Sequence, residues 1–235
     1  MMDTVFYLSI TLLVLAVVVI AARAIGVYGQ RASYASYWRA HNEQEPEKGA
    51  IRVLVLGDSI MQGIGASSPD KGLGGLIAEH ITIRTQRPVA LTNLSVTGAK
   101  VHDLLTKQLP QADFAAADII AISISANDSF RRTPIEAFTA DIDSLMRLLP
   151  KDKTVIADVP GVGQRNVYQP VLHTSAQKHK IRRADLATAF SKAGTGIGVT
   201  AGDFFHPNDR GYEIWFSAFA PEIDDLLDRL KTETK

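Results

Sequence analysis

The 235-residue sequence contains no cysteine. This absence excludes disulfide bonds, thiolate metal sites and a cysteine nucleophile, although it leaves the redox compartment open. The sequence also lacks an excess of either charge, since 25 basic residues balance 25 acidic ones. A net charge of zero gives no global electrostatic reason to bind nucleic acid, and we expect no nucleic-acid partner. The 46% of hydrophobic residues is enough for one domain with a sizeable core.

Charged residues are absent from the N-terminal stretch over residues 5–22, which is apolar with Ser9 and Thr11 as the clear exceptions. As a helix this stretch would span about 27 Å, close to the roughly 30 Å of a bilayer core. A core helix is disfavoured because no polar face is present, and a signal peptide because no positively charged region precedes the run. We therefore predict a single-pass membrane anchor over residues 1–25.

Basic residues follow the apolar run at Arg23, Arg31 and Arg39, and none precedes it. The positive-inside rule then places the following domain in the cytoplasm, although three spread arginines leave an outward-facing domain open. Aromatic residues lie in the juxtamembrane linker predicted over residues 26–50, and they are Tyr28, Tyr34, Tyr37 and Trp38. They fit an interfacial aromatic belt and, equally, a helical linker that packs its rings on the domain.

From residue 51 to residue 235 apolar runs alternate with helical patterns, which predicts a parallel sheet with helices on both faces. The predicted strands cover residues 51–56, 89–94, 118–124 and 155–159, with a short fifth strand at 197–200. One predicted helix ends near residue 85. Four others cover residues 101–109, 135–149, 171–193 and 209–230.

Three polar or glycine positions come just after predicted strands. Ser59 follows the first strand, Gly98 the second and Asn127 the third. The carboxyl ends of parallel strands meet at one edge of a sheet, so these residues should lie close together. A serine nucleophile needs a base, a group that orients the base, and donors for an oxyanion. His206, with Asp203 three residues before it in a predicted loop, is the natural candidate for base and orienting group.

Over about residues 51–230 the chain resembles the SGNH (GDSL-type) hydrolase superfamily. The resemblance is carried by four blocks, in order Gly57-Asp58-Ser59-Ile60, Gly98, Asn127-Asp128 and Asp203-x-x-His206-Pro207. It implies a three-layer αβα sandwich with a five-stranded parallel sheet in the flavodoxin-like arrangement. It also implies hydrolysis of carboxylic esters or thioesters with no metal and no cofactor.

By the same resemblance Ser59 would be the nucleophile, His206 the base and Asp203 its carboxylate partner. The oxyanion hole would consist of the backbone N–H groups of Ser59 and Gly98 and the side-chain amide of Asn127. Supporting roles fall to two further carboxylates, Asp58 and Asp128. For Asp58 we favour bonds to loop amides over a place as a second carboxylate in the site.

One departure from the family pattern is Ser125, which stands where glycine usually lies two residues before the asparagine. A side chain there would alter the approach of the backbone or narrow the pocket. A metal site built from Asp203, His206 and Asp209 is disfavoured, because oxygen-rich sites usually recruit more carboxylates.

A basic cluster lies on the helix predicted over residues 171–193, and its members are Lys178, His179, Lys180, Arg182 and Arg183. We interpret it as a solvated face, with anionic headgroups or an acidic part of a substrate as the alternative.

The sequence thus predicts a membrane-tethered serine esterase with small-molecule or lipid esters as substrates. The anchor favours acyl or lysophospholipid-type esters. An outward-facing domain would favour removal or transfer of acetyl groups on carbohydrate. The remaining alternative is a membrane-tethered binding module that has lost turnover.

Overall fold

A computed structural model describes residues 2–161, 163–194 and 198–233. Its strands are β1 (Ile51–Gly57), β2 (Val89–Asn93), β3 (Ile119–Ser123), β4 (Thr154–Ala157) and β5 (Arg182–Ala184). They form one parallel sheet in the order β2-β1-β3-β4-β5. The chain winds to one side of β1 first and to the other side afterwards. Such a switch point is where open α/β sheets bind ligands.

Helices cover both faces of this sheet and complete a three-layer αβα sandwich. They are α1 (Met2–Asn42), α2 (Ser59–Gln62), α3 (Leu73–Thr85), α4 (Val101–Asp103), α5 (Ala126–Phe130), α6 (Ile135–Leu148), α7 (Arg165–His179), α8 (Leu186–Ala193) and α9 (Asp209–Glu233). Helix α4 continues as a π-helical segment, Leu104–Gln108, and a 3₁₀ turn, Leu109–Gln111. The predicted fold class is confirmed.

Strand β1 shows how the sequence divides the core into two layers. Val53 and Val55 pack with α3, α8 and α9 on one face of the sheet. Leu54 and Leu56 pack with α6 and α7 on the other face. Successive side chains of a strand point to opposite faces, so a run that is apolar at every position is buried on both sides.

The single helix predicted over residues 171–193 is wrong, because the chain forms α7, β5 and α8 there. Helix α7 ends at Lys180, which adopts a left-handed conformation with φ 58°. Strand β5 then pairs with β4, with Ala184 opposite Ala157. The Asp185 carboxylate begins α8 by accepting a hydrogen bond from the Thr188 N–H. The fifth strand of the sheet is therefore β5 and not residues 197–200.

The predicted strand at 197–200 lies partly outside the described residues. Of its described part, Thr200 forms an isolated antiparallel bridge with Pro207 and does not join the sheet.

The basic cluster also differs from its prediction, because its members are shared between the end of α7 and β5. Most of them pair with carboxylates of the protein: Lys178 and His179 with Asp143, Arg182 with Asp225, and Arg183 with Asp158. Much of the cluster is thereby neutralised within the fold.

Helix α1 runs without interruption from the apolar stretch onto the domain. Its second half is docked, with Val27, Tyr34 and Trp38 buried. The Tyr34 hydroxyl donates to the Ala66 carbonyl at 2.8 Å, and the Trp38 indole donates to the Gln62 carbonyl at 3.0 Å. Of the two alternatives predicted for the aromatic residues, packing on the domain is therefore the one that Tyr34 and Trp38 adopt.

The first half of α1 makes few contacts with the domain. Among the described residues, this is the one helix long and apolar enough to cross a membrane. Its most apolar 18-residue window has a mean hydropathy of 2.6, and 6% of that window is buried. A membrane span and a signal sequence both have these properties.

The docking of α1 predicts a large stability loss for Trp38→Ala. The indole is buried and its N–H is bonded, so truncation should lower the free energy of unfolding by about 3–5 kcal/mol. The measurement is chemical denaturation of the full chain in detergent. Tyr28→Ala, on an exposed face of the same helix, is the matched control and should cost about 1 kcal/mol or less. Equal losses in the two variants would contradict the docking.

Candidate active site

Ser59 is the first residue of α2, immediately beyond the carboxyl end of β1. The turn between them depends on Gly57, which has φ +141°. A Cβ atom there would lie 1.9 Å from the Ser123 carbonyl oxygen, so no other residue fits. The Asp58 carboxylate then caps α2 by accepting a hydrogen bond from the Ile60 N–H at 3.0 Å. Together these contacts hold the Ser59 hydroxyl at the edge of the sheet.

The structure brings Ser59, His206 and Asp203 into one hydrogen-bonded row. His206 Nε2 lies 2.9 Å from Ser59 Oγ, although 147 residues separate the two in sequence. His206 Nδ1 lies 2.6 Å from Asp203 Oδ2. This is the geometry in which a carboxylate orients an imidazole and the imidazole accepts a serine proton.

Asp203 is held in place as a charged group. Its other oxygen, Oδ1, accepts hydrogen bonds from the backbone N–H groups of Phe205 and His206 at 3.1 and 3.0 Å. Burial works against the charged form, but the hydrogen bonds from the His206 ring and from the two N–H groups outweigh it. The pKa of Asp203 therefore lies below its usual value.

The predicted oxyanion donors lie beside this row. Asn127 lines the same cavity as Ser59. Its side-chain amide donates to the Ala99 carbonyl at 3.0 Å, and Ala99 directly follows Gly98, which has φ +83°. Within the part of the chain that the structure describes, the N–H groups of Ser59 and Gly98 donate to no protein acceptor. Both donors are therefore free to bind a developing oxyanion.

Gln62 connects the turn at Gly57–Ser59 to the loop that carries Gly98. The sequence did not predict a role for this residue. Its buried side chain donates to the Ser95 carbonyl and accepts a hydrogen bond from the Thr97 N–H, both at 3.0 Å. Its own carbonyl accepts the bond from Trp38. A glutamine in a short helix carries no sequence signal for such a role.

A second unpredicted residue, Gln108, supports the turn from the opposite side. Its side-chain amide accepts from the Gly57 N–H at 2.9 Å and donates to the Gly57 carbonyl at 2.8 Å. The Gly57 N–H and carbonyl at the end of β1 are thereby hydrogen-bonded to a side chain, where a neighbouring strand would otherwise supply the partners.

The two supporting carboxylates bond to backbone amides around the site. Asp128 accepts from the Val101 N–H at 3.0 Å, beyond the Gly98 turn, while Asp58 caps α2 as described. Burial raises the pKa of Asp58 to about 7, with the nearby Asp128 charge as a further contribution. Burial also raises the pKa of Asp128. These contacts match the role in bonding loop amides that we favour for Asp58.

Ser125, the departure from the family pattern, has φ +87° and is fully buried. This left-handed conformation favours glycine and costs other residues roughly 1–2 kcal/mol. The positive φ at this position thus explains why the family pattern usually has glycine there. Here the Ser125 hydroxyl donates to the Ile124 carbonyl.

A cavity of about 420 Å³ opens beside Ser59, and its wall is mainly apolar. The apolar residues come from the loop after β4, from α8, from α9 and from the loop that carries His206. They include Val159, Pro160, Leu186, Phe190, Phe205 and Trp215. Cavities of this size and character hold small ligands that bear apolar groups.

Asp209 does not join Asp203 and His206, because both of its oxygens bind Ser67. Within the described residues, no group of three or more histidine and acidic side chains is arranged to hold a metal ion.

The model of the GDSL-like lipase/acylhydrolase family matches residues 55–214, which include Ser59, Gly98, Asn127, Asp203 and His206. The chain belongs to this family. The family assignment confirms the resemblance drawn from the four sequence blocks.

A curated relative is a GDSL-like esterase of Mycobacterium tuberculosis, which is 26% identical over 202 residues. The match covers 83% of this chain and 62% of the relative, so the chain spans less than two thirds of that protein's length.

Solved structures share the fold at lower identity. TesA superposes with a TM-score of 0.64 at 16% identity, over 74% of this chain and 99% of its own. The acetylxylan esterase Axe2 of Geobacillus stearothermophilus gives a TM-score of 0.59 at 19% identity, over 76% of this chain and 96% of its own. A lipase/acylhydrolase of Enterococcus faecalis gives 0.62 at 18%, over 73% and 94%.

The raised pKa of Asp58 predicts a pH dependence of stability. In the unfolded chain the group titrates near 3.9, so between that value and about 7 the folded state binds one more proton. Stability should therefore fall as pH rises through this window. In urea denaturation from about pH 5 to about pH 8, Asp58→Asn should lose less stability than wild type. Asp152→Asn, at an exposed turn, is the control and should follow wild type. An unchanged slope in Asp58→Asn would contradict the assignment.

Proposed function

We propose that the protein hydrolyses carboxylic esters or thioesters through a Ser59–His206–Asp203 triad and an acyl-enzyme intermediate. The observation that carries this proposal is the row of contacts from Ser59 Oγ to His206 Nε2 and from His206 Nδ1 to Asp203. In the first step His206 Nε2 accepts the serine proton as Oγ attacks the carbonyl carbon. The proton then passes to the leaving alcohol or thiol, and the acyl group stays on Ser59.

Water completes the cycle in the second step. His206 accepts a proton from water, whose oxygen attacks the acyl carbon, and the proton returns to Ser59 Oγ as the acid leaves. The oxyanion of each tetrahedral intermediate binds the N–H groups of Ser59 and Gly98 and the amide of Asn127. The low pKa of Asp203 supports this scheme, because a charged carboxylate stabilises the imidazolium that forms in each step.

The substrates that the site favours are esters with an apolar acyl chain, including acyl and lysophospholipid-type esters. The apolar wall of the cavity supports this choice, since it would bury a hydrocarbon chain next to Ser59. The N-terminal apolar helix supports it as well, because a membrane anchor would hold the domain at a surface made of such esters. An outward-facing domain would favour acetylated carbohydrate instead, but the arginine distribution favours the cytoplasm.

An alternative is removal or transfer of acetyl groups on carbohydrate. One structural neighbour is an acetylxylan esterase, and the triad would serve that reaction equally. Polar sugars would gain little from the apolar wall, so this alternative takes second place. A binding module without turnover is disfavoured, because the triad contacts are complete.

The nucleophile assignment predicts selective reaction with a fluorophosphonate probe. Incubation of the full chain in detergent should give one adduct by intact mass, since only an activated serine attacks phosphorus. Ser59→Ala should give none, and its esterase turnover should fall to near background. Ser33→Ala, which changes an exposed serine on α1, is the control and should react fully. Full turnover by folded Ser59→Ala would refute the proposal.

The substrate assignment predicts a dependence on acyl-chain length. With p-nitrophenyl esters from acetyl to palmitoyl, kcat/KM should rise with chain length until the cavity is filled, because each buried methylene adds about 0.8 kcal/mol of binding. Asn127→Ala should lower kcat about 10²–10³-fold across the whole series, since it removes an oxyanion donor and not an acyl contact. Activity confined to the acetyl ester would favour the carbohydrate alternative instead.

A further inference from the structure

Helix α1 leaves the domain beside the loop that carries the catalytic histidine. Gly202, the residue before Asp203, lies against the helix, and a Cβ atom on it would be 2.6 Å from Arg23 Cβ. Two turns further along, Gln30 bonds to the Gly65 N–H and the Ala66 carbonyl at 2.7 and 3.0 Å. Beyond Arg23 towards the N-terminus, the large apolar side chains with described positions are exposed. Arg23 is therefore the level at which α1 ceases to contact the domain and its apolar side chains become exposed.

The loop at this level exposes aromatic side chains. Phe204 is 69% exposed although it is large and apolar. Phe205 is 41% exposed and also lines the cavity beside Ser59. Phe130, at the end of α5, is 58% exposed and contacts the Phe205 ring, with 5.5 Å between ring centroids. Three exposed aromatic rings thus lie on the His206 loop or in contact with it, and one of them, Phe205, also lines the cavity.

Phe204 also occupies an unusual backbone conformation, with φ +56°. Bulky residues rarely adopt this region. The hydrogen bonds of the short loop hold it there: Asp203 accepts from the N–H groups of Phe205 and His206, and the Phe204 N–H donates to the Ala201 carbonyl. Its ring is thereby exposed, two residues after Gly202, which lies against α1.

We propose that Phe130, Phe204 and Phe205 contact the lipid bilayer, so that ester substrates reach Ser59 from the membrane and not from solution. Basic and aromatic residues mark the boundary between hydrocarbon and water, and Arg23 is the first charged residue after the apolar run. A bilayer around residues 5–22 therefore has its surface at the height of Gly202, next to the three rings. The proposal rests on the esterase function proposed above and on insertion of α1.

The test uses the absence of cysteine, which allows one introduced thiol to be labelled selectively. Phe204→Cys in the full chain is labelled with a nitroxide and reconstituted in phosphatidylcholine vesicles. Leu148→Cys is the matched control, since it is 55% exposed at the end of α6, near the opposite edge of the sheet. Collisions of the label with dissolved oxygen report lipid, and collisions with a water-soluble nickel chelate report water. The label at position 204 should report lipid and the label at 148 water.

Water exposure at both positions overturns the proposal. So does a lipid-like signal at 204 that appears only at high protein-to-lipid ratios, since that indicates contact between copies of the chain. The proposed function fails separately: a wild-type protein without esterase activity refutes it even if the label at 204 reports lipid.

A kinetic comparison tests the delivery of substrate. Phe204→Asn removes the ring and keeps a residue that tolerates the left-handed backbone. In vesicles it should hydrolyse bilayer-dissolved p-nitrophenyl palmitate about tenfold more slowly than wild type. Its rate on soluble p-nitrophenyl acetate should stay within about twofold of the wild-type rate. Leu148→Asn should leave both rates unchanged. An equal loss on both esters, or no loss on the palmitate, overturns the proposal.

Discussion

The segment over residues 64–67 is the constraint on which the site depends, because two distant parts of the chain satisfy its polar groups and a third packs closely against it. Helix α1 bonds to it through Gln30 and Tyr34. Helix α9 bonds to it through the Tyr212 hydroxyl, which donates to the Ile64 carbonyl, and through Asp209. Gly65 in turn allows the His206 loop to approach so closely that a Cβ atom would lie 2.3 Å from the Pro207 carbonyl oxygen. The distance between Ser59 Oγ and His206 Nε2 is therefore set by contacts on both sides of this segment.

Much of this arrangement could be predicted from the sequence because it depends on local chemistry at strand ends. The apolar run before Ser59, the turn at Gly98 and the short spacing from Asp203 to His206 each carry their own signal. The division of residues 171–193 into three elements could not be predicted in this way. Ile181 and Ala184 are buried, and their spacing of three residues is compatible with a helix. Only pairing with β4, a contact between distant residues, selects the strand.

The residues that sequence reasoning missed share a physical character. Gln62 and Gln108 act through side-chain amides that substitute for backbone partners. Trp38, for which packing on the domain was one of two open alternatives, acts through its indole N–H. Glutamine and tryptophan occur in many unrelated settings, so their type gives no information until the fold brings the partners together. The docked part of α1 belongs with them, since an aromatic residue in a linker fits a membrane surface as well as a protein one.

The uninterrupted course of α1 has a mechanical consequence. A helix rises 1.5 Å per residue, and no loop between the apolar stretch and the docked segment absorbs a change in length. In a bilayer, the thickness of the hydrocarbon layer would then determine the distance between the domain and the membrane surface. Thicker and thinner membranes are accommodated by tilt or by local deformation of lipid. A tilt of the helix would move the domain with it. Lipid composition would therefore change the position of the entrance to the site relative to the membrane surface.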